Sequence, residues 1–121
     1  MTRSENWISI EGYEDLYQIS NKGRVRACVL GSHKPMKVAV DRSGYAVVRL
    51  TKFGIRKKFA IHKLVFSHFN GDLVPGEIVH HIDEDKLNNC SWNLMKVTHS
   101  EHRLMHSRRL KPIYISNLST I

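Results

Sequence analysis

Alternating apolar and polar residues dominate the first half of the chain and predict a series of short β-strands. Residues 16–19 and 24–27 alternate on either side of a turn rich in asparagine and glycine, which is typical of a β-hairpin. Residues 45–50 and 55–61 predict two more strands joined by a second glycine-containing turn. Residues 31–36 contain glycine, serine and proline and predict a loop.

The second half of the chain combines helical and strand-like patterns. Between residues 61 and 69 the apolar residues recur at helical spacing, which predicts a short helix. Residues 77–83 and 93–97 predict two short strands around a polar loop. Thr98 has a glutamate three residues later, the spacing of a capping box, so we expect a helix from about residue 99 to 110.

The positive charge of the chain is concentrated in one region. The formal net charge is +8, and residues 22–63 alone hold twelve basic residues and one acidic residue. A solvated basic face is one interpretation. Because the charge runs through predicted strands and not through a tail, the pattern favours a surface that contacts phosphates. The candidate phosphate contacts are Arg24, Arg26, Arg49, Arg56, Lys57 and Lys58.

Composition excludes several other classes of protein. The two cysteines lie far apart and predict neither a disulfide framework nor a four-cysteine zinc site. No apolar run approaches the ~18 residues that span a bilayer, and the N-terminus lacks a signal-peptide pattern. We therefore expect a cytoplasmic protein with no membrane partner.

Histidines are unusually dense near the C-terminal end of the chain. Five of the eight are His80, His81, His99, His102 and His106. Neighbouring residues on a strand point to opposite faces, so His80 and His81 can serve one centre only if the strand ends or twists there. His102 and His106 share a helix face and could bind one cation. The alternative is a set of surface histidines on a basic helix.

Several spaced residues together resemble a known family. His80-His81-Ile82-Asp83, the residues 85–89, Asn93 with the leucine after it, and the residues 98–102 look like the HNH endonuclease motif of phage and intron-encoded nucleases. Residues 7–26 separately resemble the small modular DNA-binding domain that often precedes this nuclease.

The resemblance implies an α+β fold. Its expected core is a ββα-metal (His-Me finger) nuclease, preceded by a small antiparallel β-rich module. The corresponding division is a DNA-binding module over residues 1–58, the nuclease over residues 59–110 and a C-terminal tail over residues 111–121.

The resemblance also implies a role for individual residues. His81 matches the general base that activates water, and Asn93 matches the asparagine that holds the loop so that this base is aimed. His80 matches a metal ligand, where many relatives have aspartate. His102 matches the ligand on the helix, and His106 resembles an additional helical ligand. The implied cofactor is one divalent cation, Mg²⁺ or Mn²⁺, with Zn²⁺ or Ni²⁺ as alternatives that an imidazole-rich site admits.

These features lead to one main hypothesis and one alternative. The main hypothesis is a metal-dependent endonuclease, monomeric or homodimeric, that nicks or cleaves double-stranded DNA, encoded by a phage and acting in the bacterial host. The alternative is a non-catalytic nucleic-acid-binding module that uses its histidines for a structural zinc ion. RNA stays open as a substrate because positive charge serves either polymer.

Overall fold

The computed structural model describes residues 3–108, with the side chains of residues 106–108 left out. The tail predicted for residues 111–121 and the side chain of His106 therefore lie outside the described residues. None of the helices in this range has the length and apolar character needed to cross a bilayer.

The chain begins with a four-stranded antiparallel sheet. Its strands are β1 (Trp7–Ser9), β2 (Tyr17–Ser20), β3 (Val25–Val29) and β4 (Ser32–Pro35), which pair in chain order. The predicted hairpin is confirmed, because β2 and β3 pair across the turn between them. Ile19 and Val25 face each other across this pair and are both buried, as the alternation requires.

The prediction of a loop over residues 31–36 is wrong. Most of this stretch is β4, which pairs with β3. Leu30 (φ 46°) and Gly31 (φ 81°) both adopt left-handed backbone, which reverses the chain within two residues. All four residues of β4 are exposed, so the strand has no apolar face and produces no alternation in the sequence.

A second antiparallel sheet follows. It consists of β5 (Ala39–Val40), β6 (Ala46–Lys52) and β7 (Ile55–Ala60), paired in that order. The two strands predicted around the second turn are confirmed as β6 and β7. Val48 and Leu50 of β6 are fully buried, whereas Arg49 between them is exposed.

The predicted short helix is also confirmed. It is α1 (Ile61–Val65), which continues into one π-helical turn (Phe66–Asn70) and ends at Gly71, where φ is 116°. Ile61 and Val65 are fully buried and fasten this helix to the sheets.

The last part of the chain is a strand, loop, strand and helix unit. It contains β8 (Glu77–His81), a polar loop ending in a 3₁₀ turn (Ser91–Asn93), β9 (Leu94–Thr98) and α2 (His99–Arg108). β8 and β9 form an antiparallel hairpin, and α2 packs on it. The predicted α+β class, with a ββα core after β-rich structure, is confirmed.

The capping box predicted at the start of α2 is present. The hydroxyl of Thr98 accepts a hydrogen bond from the backbone N–H of Glu101 at 3.1 Å. The Glu101 carboxylate in turn accepts one from the Thr98 N–H at 2.9 Å. These bonds satisfy two donors that the first turn of a helix leaves unpaired, so they fix where α2 begins.

One apolar core joins both sheets, α1 and β9. Its most deeply buried members are Ile10, Ile19, Val25, Val48, Leu50, Ile61, Val65 and Leu94. A second, smaller cluster of Val97 and Met105, with Ile78 and Met95 against it, holds α2 on the hairpin. The β-rich part and the ββα unit therefore share their main core, whereas α2 has a separate attachment.

A close backbone contact joins the first sheet to the β8–β9 loop. The turn between β2 and β3 contains Gly23 at φ 84°, and a Cβ added there would lie 2.8 Å from the Cβ of Asn89. Beside it, the Ser91 N–H donates to the carbonyl of Asn21 at 2.7 Å. Only a residue without a side chain allows the turn and the loop to approach this closely.

Replacing Gly23 with alanine is expected to lower the free energy of unfolding by about 2–4 kcal/mol, since it adds backbone strain and pushes the β2–β3 turn away from the β8–β9 loop. Urea unfolding measures this loss. Gly31→Ala is the matched control, because Gly31 has a similar φ of 81° but open space around it, so only the strain of about 1 kcal/mol applies. Equal losses for the two variants would contradict the close contact.

Candidate active site

A network of amide and carboxylate groups gives the β8–β9 loop its shape. The Asn93 side-chain amide donates to the Asp83 carboxylate at 2.9 Å and to the Asn88 carbonyl at 2.8 Å. The Asp83 N–H donates to the Asn93 side-chain oxygen at 3.2 Å, and the Asn88 amide donates to Asp83 at 2.8 Å. These bonds cross the loop from side to side, so its backbone is held in one conformation.

Asp83 is ionised within this network. Desolvation by burial is the largest influence and raises the pKa of its carboxyl group. Hydrogen bonds from the Asn88 side chain, the Asp85 N–H and the Asn93 side chain together outweigh it, so the net pKa lies below the ordinary value. Asp83 and Asp85 both accept bonds from loop N–H groups two residues later, which is the loop-capping role of such residues.

His81 is held by Asn89, which lies within the family motif but was assigned no role of its own. Its Nε2 lies 2.7 Å from the Oδ1 of Asn89, and both side chains are buried. An amide oxygen only accepts hydrogen bonds, so Nε2 carries the hydrogen and donates it. The other ring nitrogen, Nδ1, is then unprotonated in the neutral ring. His81 is therefore in the tautomer that can accept a proton at Nδ1.

His80 and His81 point to opposite faces of the hairpin. His81 pairs with Leu94 of the main core, whereas His80 pairs with Met95, which packs in the cluster beneath α2. The His80 ring meets the ring of His102 on α2 edge to face, with centroids 5.6 Å apart. Two of the three predicted ligands are thus neighbours.

Despite their opposite directions, both strand histidines border one small cavity of about 60 Å³. It is lined by Tyr45, Val79, His80, His81, Glu84, Lys86 and His102. A single water needs roughly 10–15 Å³ of such volume, so the space suits a cation with a few waters. The hairpin ends at His81, which is why residues from its two faces reach the same cavity.

Lys86 brings a positive charge to this cavity. Its Nζ donates to the Ser43 carbonyl at 2.8 Å and lies 4.8 Å from the centroid of the Tyr45 ring. Lys86 lies within the family motif, but no role could be assigned to it from sequence because it is a single base in an acidic stretch. Its position depends on contacts with residues more than 40 positions away.

The imidazoles of His80 and His102 both border the cavity. Among residues 3–105, whose side chains are described, no group of three or more histidine, cysteine or acidic side chains is arranged to hold a metal ion. The His80 and His102 rings pack against each other at the cavity, which leaves space for other groups. Catalytic sites keep such open positions for water and substrate.

A third imidazole lies behind His81. The ring of His62, on α1, is 5.3 Å from that of His81 and 4.8 Å from that of Tyr45. His62 is buried, and its Nδ1 has no hydrogen-bond partner within the described part of the chain. Desolvation, followed by electrostatic interactions with His81 and Lys63, lowers the pKa of His62 to about 4. His62 is therefore neutral at physiological pH.

The predicted phosphate contacts on the second sheet divide between its two faces. Arg49 pairs with Lys58, and Arg56 lies two residues from Lys58 on the same strand, so these three side chains share one face. Lys57 points to the opposite face. All four are exposed.

The two predicted contacts near the first sheet are engaged with protein groups. Arg24 forms an ion pair with Glu5 that lowers the pKa of this carboxyl group to about 2. Arg26 lies over the Trp7 ring, 4.0 Å from its centroid, and donates to the Gln18 side chain at 2.7 Å. The positive charge of Arg24 is therefore partly neutralised within the protein.

The strand, loop, strand and helix unit, with histidines from hairpin and helix at one cavity, defines the class of ββα-metal nucleases. Family models agree: residues 5–51 match the NUMOD4 motif, and residues 59–104 match an HNH endonuclease model. This chain belongs to the HNH endonuclease family, as the motif predicted.

Individual relatives make the relationship more specific. The DNA endonuclease I-HmuI of Bacillus phage SP01 is 41% identical over 92 residues, which are 76% of this chain and 52% of that protein. An uncharacterised HNH endonuclease of Acanthamoeba polyphaga mimivirus is 37% identical over 93 residues, 77% of this chain and 27% of that protein. The chain thus spans about half of the first relative and a smaller part of the second.

A solved structure is similar over nearly the whole chain. It is described as "DNA binding and cleavage by the HNH homing endonuclease I-HmuI", and it superimposes with a TM-score of 0.76 at 36% identity. The match covers 96% of this chain and 67% of that one. The β-rich part and the ββα unit are therefore arranged together as in a homing endonuclease.

The buried His62 is expected to make stability depend on pH. Its pKa is about 4 in the folded chain and near 6.5 when unfolded, so the unfolded chain binds more protons between these values. The free energy of unfolding should fall by about 3 kcal/mol as pH drops from 6.5 to 4. Urea unfolding at several pH values measures this slope.

Two variants separate His62 from other titrating groups. His62→Phe keeps an aromatic ring beside Tyr45 but cannot be protonated, so its slope over this pH range should be shallower. His33→Gln removes an exposed histidine and should leave the slope unchanged. A His62→Phe variant with the slope of the unaltered chain would show that His62 is not the group responsible.

Proposed function

We propose that this chain is a metal-dependent endonuclease that hydrolyses phosphodiester bonds of double-stranded DNA. One observation carries the proposal: His81, oriented by Asn89 with Nδ1 unprotonated, borders the same cavity as the His80 and His102 pair. A base for water and a place for a cation are the two groups that this hydrolysis requires, since the phosphate repels an anionic nucleophile.

Each residue at the cavity has a separate task in this proposal. His81 removes a proton from the attacking water through Nδ1, and Asn89 keeps the ring in the required tautomer. Asn93 keeps the β8–β9 loop in place and thereby fixes the position of Asn89, which lies in this loop. His80 and His102 would hold the cation, with His106 as a further ligand. When bound, this cation supplies positive charge that stabilises the phosphate and the leaving oxygen.

The basic groups bind the substrate. Lys86, which borders the cavity, would contact a phosphate near the reacting one. Arg49, Arg56 and Lys58 form an exposed face that attracts the DNA backbone, with Lys57, Arg24 and Arg26 as additional contacts. The solved structure of I-HmuI, which concerns DNA binding and cleavage, supports DNA as the substrate.

The setting of the reaction is part of the same proposal. Similarity to an endonuclease of a Bacillus phage supports a phage-encoded protein acting in the cytoplasm of a bacterial host. The enzyme acts as a monomer or homodimer. Mg²⁺ or Mn²⁺ is the proposed cation, and Zn²⁺ or Ni²⁺ are the alternatives for two imidazole donors.

The His81→Ala variant is expected to reduce cleavage of supercoiled plasmid by about 10²- to 10⁴-fold, because the attacking water loses its base. DNA affinity, measured in EDTA, should stay nearly unchanged. The assay is run with Mg²⁺, Mn²⁺, Zn²⁺ and Ni²⁺ in turn.

His33→Ala is the matched control for losing an imidazole, since His33 is exposed on β4 and should leave cleavage intact. Full cleavage by His81→Ala would refute the assigned base. If the unaltered chain cuts neither plasmid nor RNA with any metal but binds zinc tightly, the non-catalytic zinc module replaces this proposal.

Asn89→Ala is expected to lower kcat about 10- to 100-fold while DNA affinity is retained, because His81 loses the acceptor that sets its tautomer and direction. Asn89→Asp keeps an acceptor oxygen and should recover much of the loss. Single-turnover cleavage with saturating enzyme measures both variants. Equal rates for the alanine and aspartate variants would mean that the hydrogen bond has no part in catalysis.

A further inference from the structure

The turn between β6 and β7 places an aromatic residue where neither packing nor backbone preference favours it. Phe53 (φ 52°) and Gly54 (φ 76°) are the two central residues, and both adopt left-handed backbone. Asparagine followed by glycine is the pair that suits such a turn, whereas left-handed backbone is strained for a bulky side chain. The Phe53 side chain is 90% exposed, and Ile55 beside it is 60% exposed.

The backbone strain at Phe53 is not offset by packing within the chain, which suggests that the side chain contacts a partner. A buried Phe53 would gain from removal of its ring from water, but this ring covers little of the protein. Strained backbone at a non-glycine residue is concentrated at binding and catalytic sites. The exposed ring at this hairpin tip is therefore a candidate for contact with a ligand.

The charges around the tip indicate the chemistry of that ligand. The Nζ of Lys52 lies 5.4 Å from the Phe53 ring and donates to the Gly12 carbonyl at 2.6 Å. Arg56 follows three residues after Phe53, and its face of the hairpin continues into the basic surface described above. Glu14 is the acid beside this lysine, and its carboxylate accepts a bond from the Gly12 N–H.

We propose that Phe53 is a wedge that enters a groove of duplex DNA and contacts the bases, while the basic residues behind it contact phosphates. A two-stranded ribbon is narrow enough for a DNA groove. Aromatic and aliphatic side chains that reach the bases stack on them or separate adjacent pairs. The inference rests on the proposed function, because it requires DNA as the partner.

Phe53→Asn tests the wedge without disturbing the fold, because asparagine tolerates left-handed backbone and should raise Tm. Binding of the full chain to a fluorescein-labelled 30-base-pair duplex is measured by anisotropy in EDTA, over a series of salt concentrations. The dissociation constant should rise roughly fivefold or more at every salt concentration. The slope of log K against log[salt] should not change, because an apolar contact releases no counterions.

Three further variants identify the cause of the loss. Arg56→Ala should reduce the salt slope, as expected for a phosphate contact. Leu30→Asn relieves the same strain at the β3–β4 turn, where the side chain is 101% exposed but no lysine or arginine lies within three residues. It should raise Tm and leave DNA affinity unchanged. Phe53→Trp retains an aromatic ring and should retain affinity.

A second readout reports on the bases directly. Duplexes with 2-aminopurine at successive positions should become more fluorescent at one or two adjacent positions when the unaltered chain binds, and Phe53→Asn should abolish this increase. If Phe53→Asn binds with the affinity of the unaltered chain and gives the same fluorescence increase, the wedge is refuted but the proposed function is not. Failure of the unaltered chain to bind any duplex would overturn the proposed function together with it.

Discussion

The hydrogen bond between His81 and Asn89 is the interaction on which the arrangement of the site depends. It selects the tautomer of the imidazole, and it is only as fixed as the loop that contains Asn89. Asn93 and Asp83 hold this loop from within, and the turn at Gly23 packs against it from the first sheet. The β-rich part of the chain therefore supports the site mechanically, apart from any contact it makes with DNA.

The alternation of a β-strand divides the site into two halves. His81 faces the main core and is backed by the neutral ring of His62, whereas His80 faces α2 and meets His102. A proton acceptor must keep one ring nitrogen unprotonated, and a metal ligand needs a second donor close by. Two adjacent residues meet both requirements because the strand sends them in opposite directions and then ends.

Prediction from sequence succeeded where local chemistry decides the structure. The β2–β3 hairpin and the cap formed by Thr98 depend on residues close together in the chain, and both are present. β4 was missed because a strand exposed on all sides carries no apolar pattern. In the site, the family motif selected His80, His81 and His102, and all three border one cavity. Asn89, Lys86 and His62 were assigned no role in the site, because their contacts arise only in the folded chain.

The acidic residues of the ββα unit largely cancel its positive charge, so the DNA binding that we propose depends on other parts of the chain. Residues 77–108, which form this unit, carry five acidic and four basic residues, so the unit by itself attracts a polyanion only weakly. Several of these acids are engaged internally: Asp83 binds loop amides, and Glu77 accepts from the Val74 N–H and pairs with Lys96. The positive charge that offsets them lies on the second sheet. Because the sheets and the hairpin share one core, the proposed DNA-binding surface and the cavity keep a constant relative position.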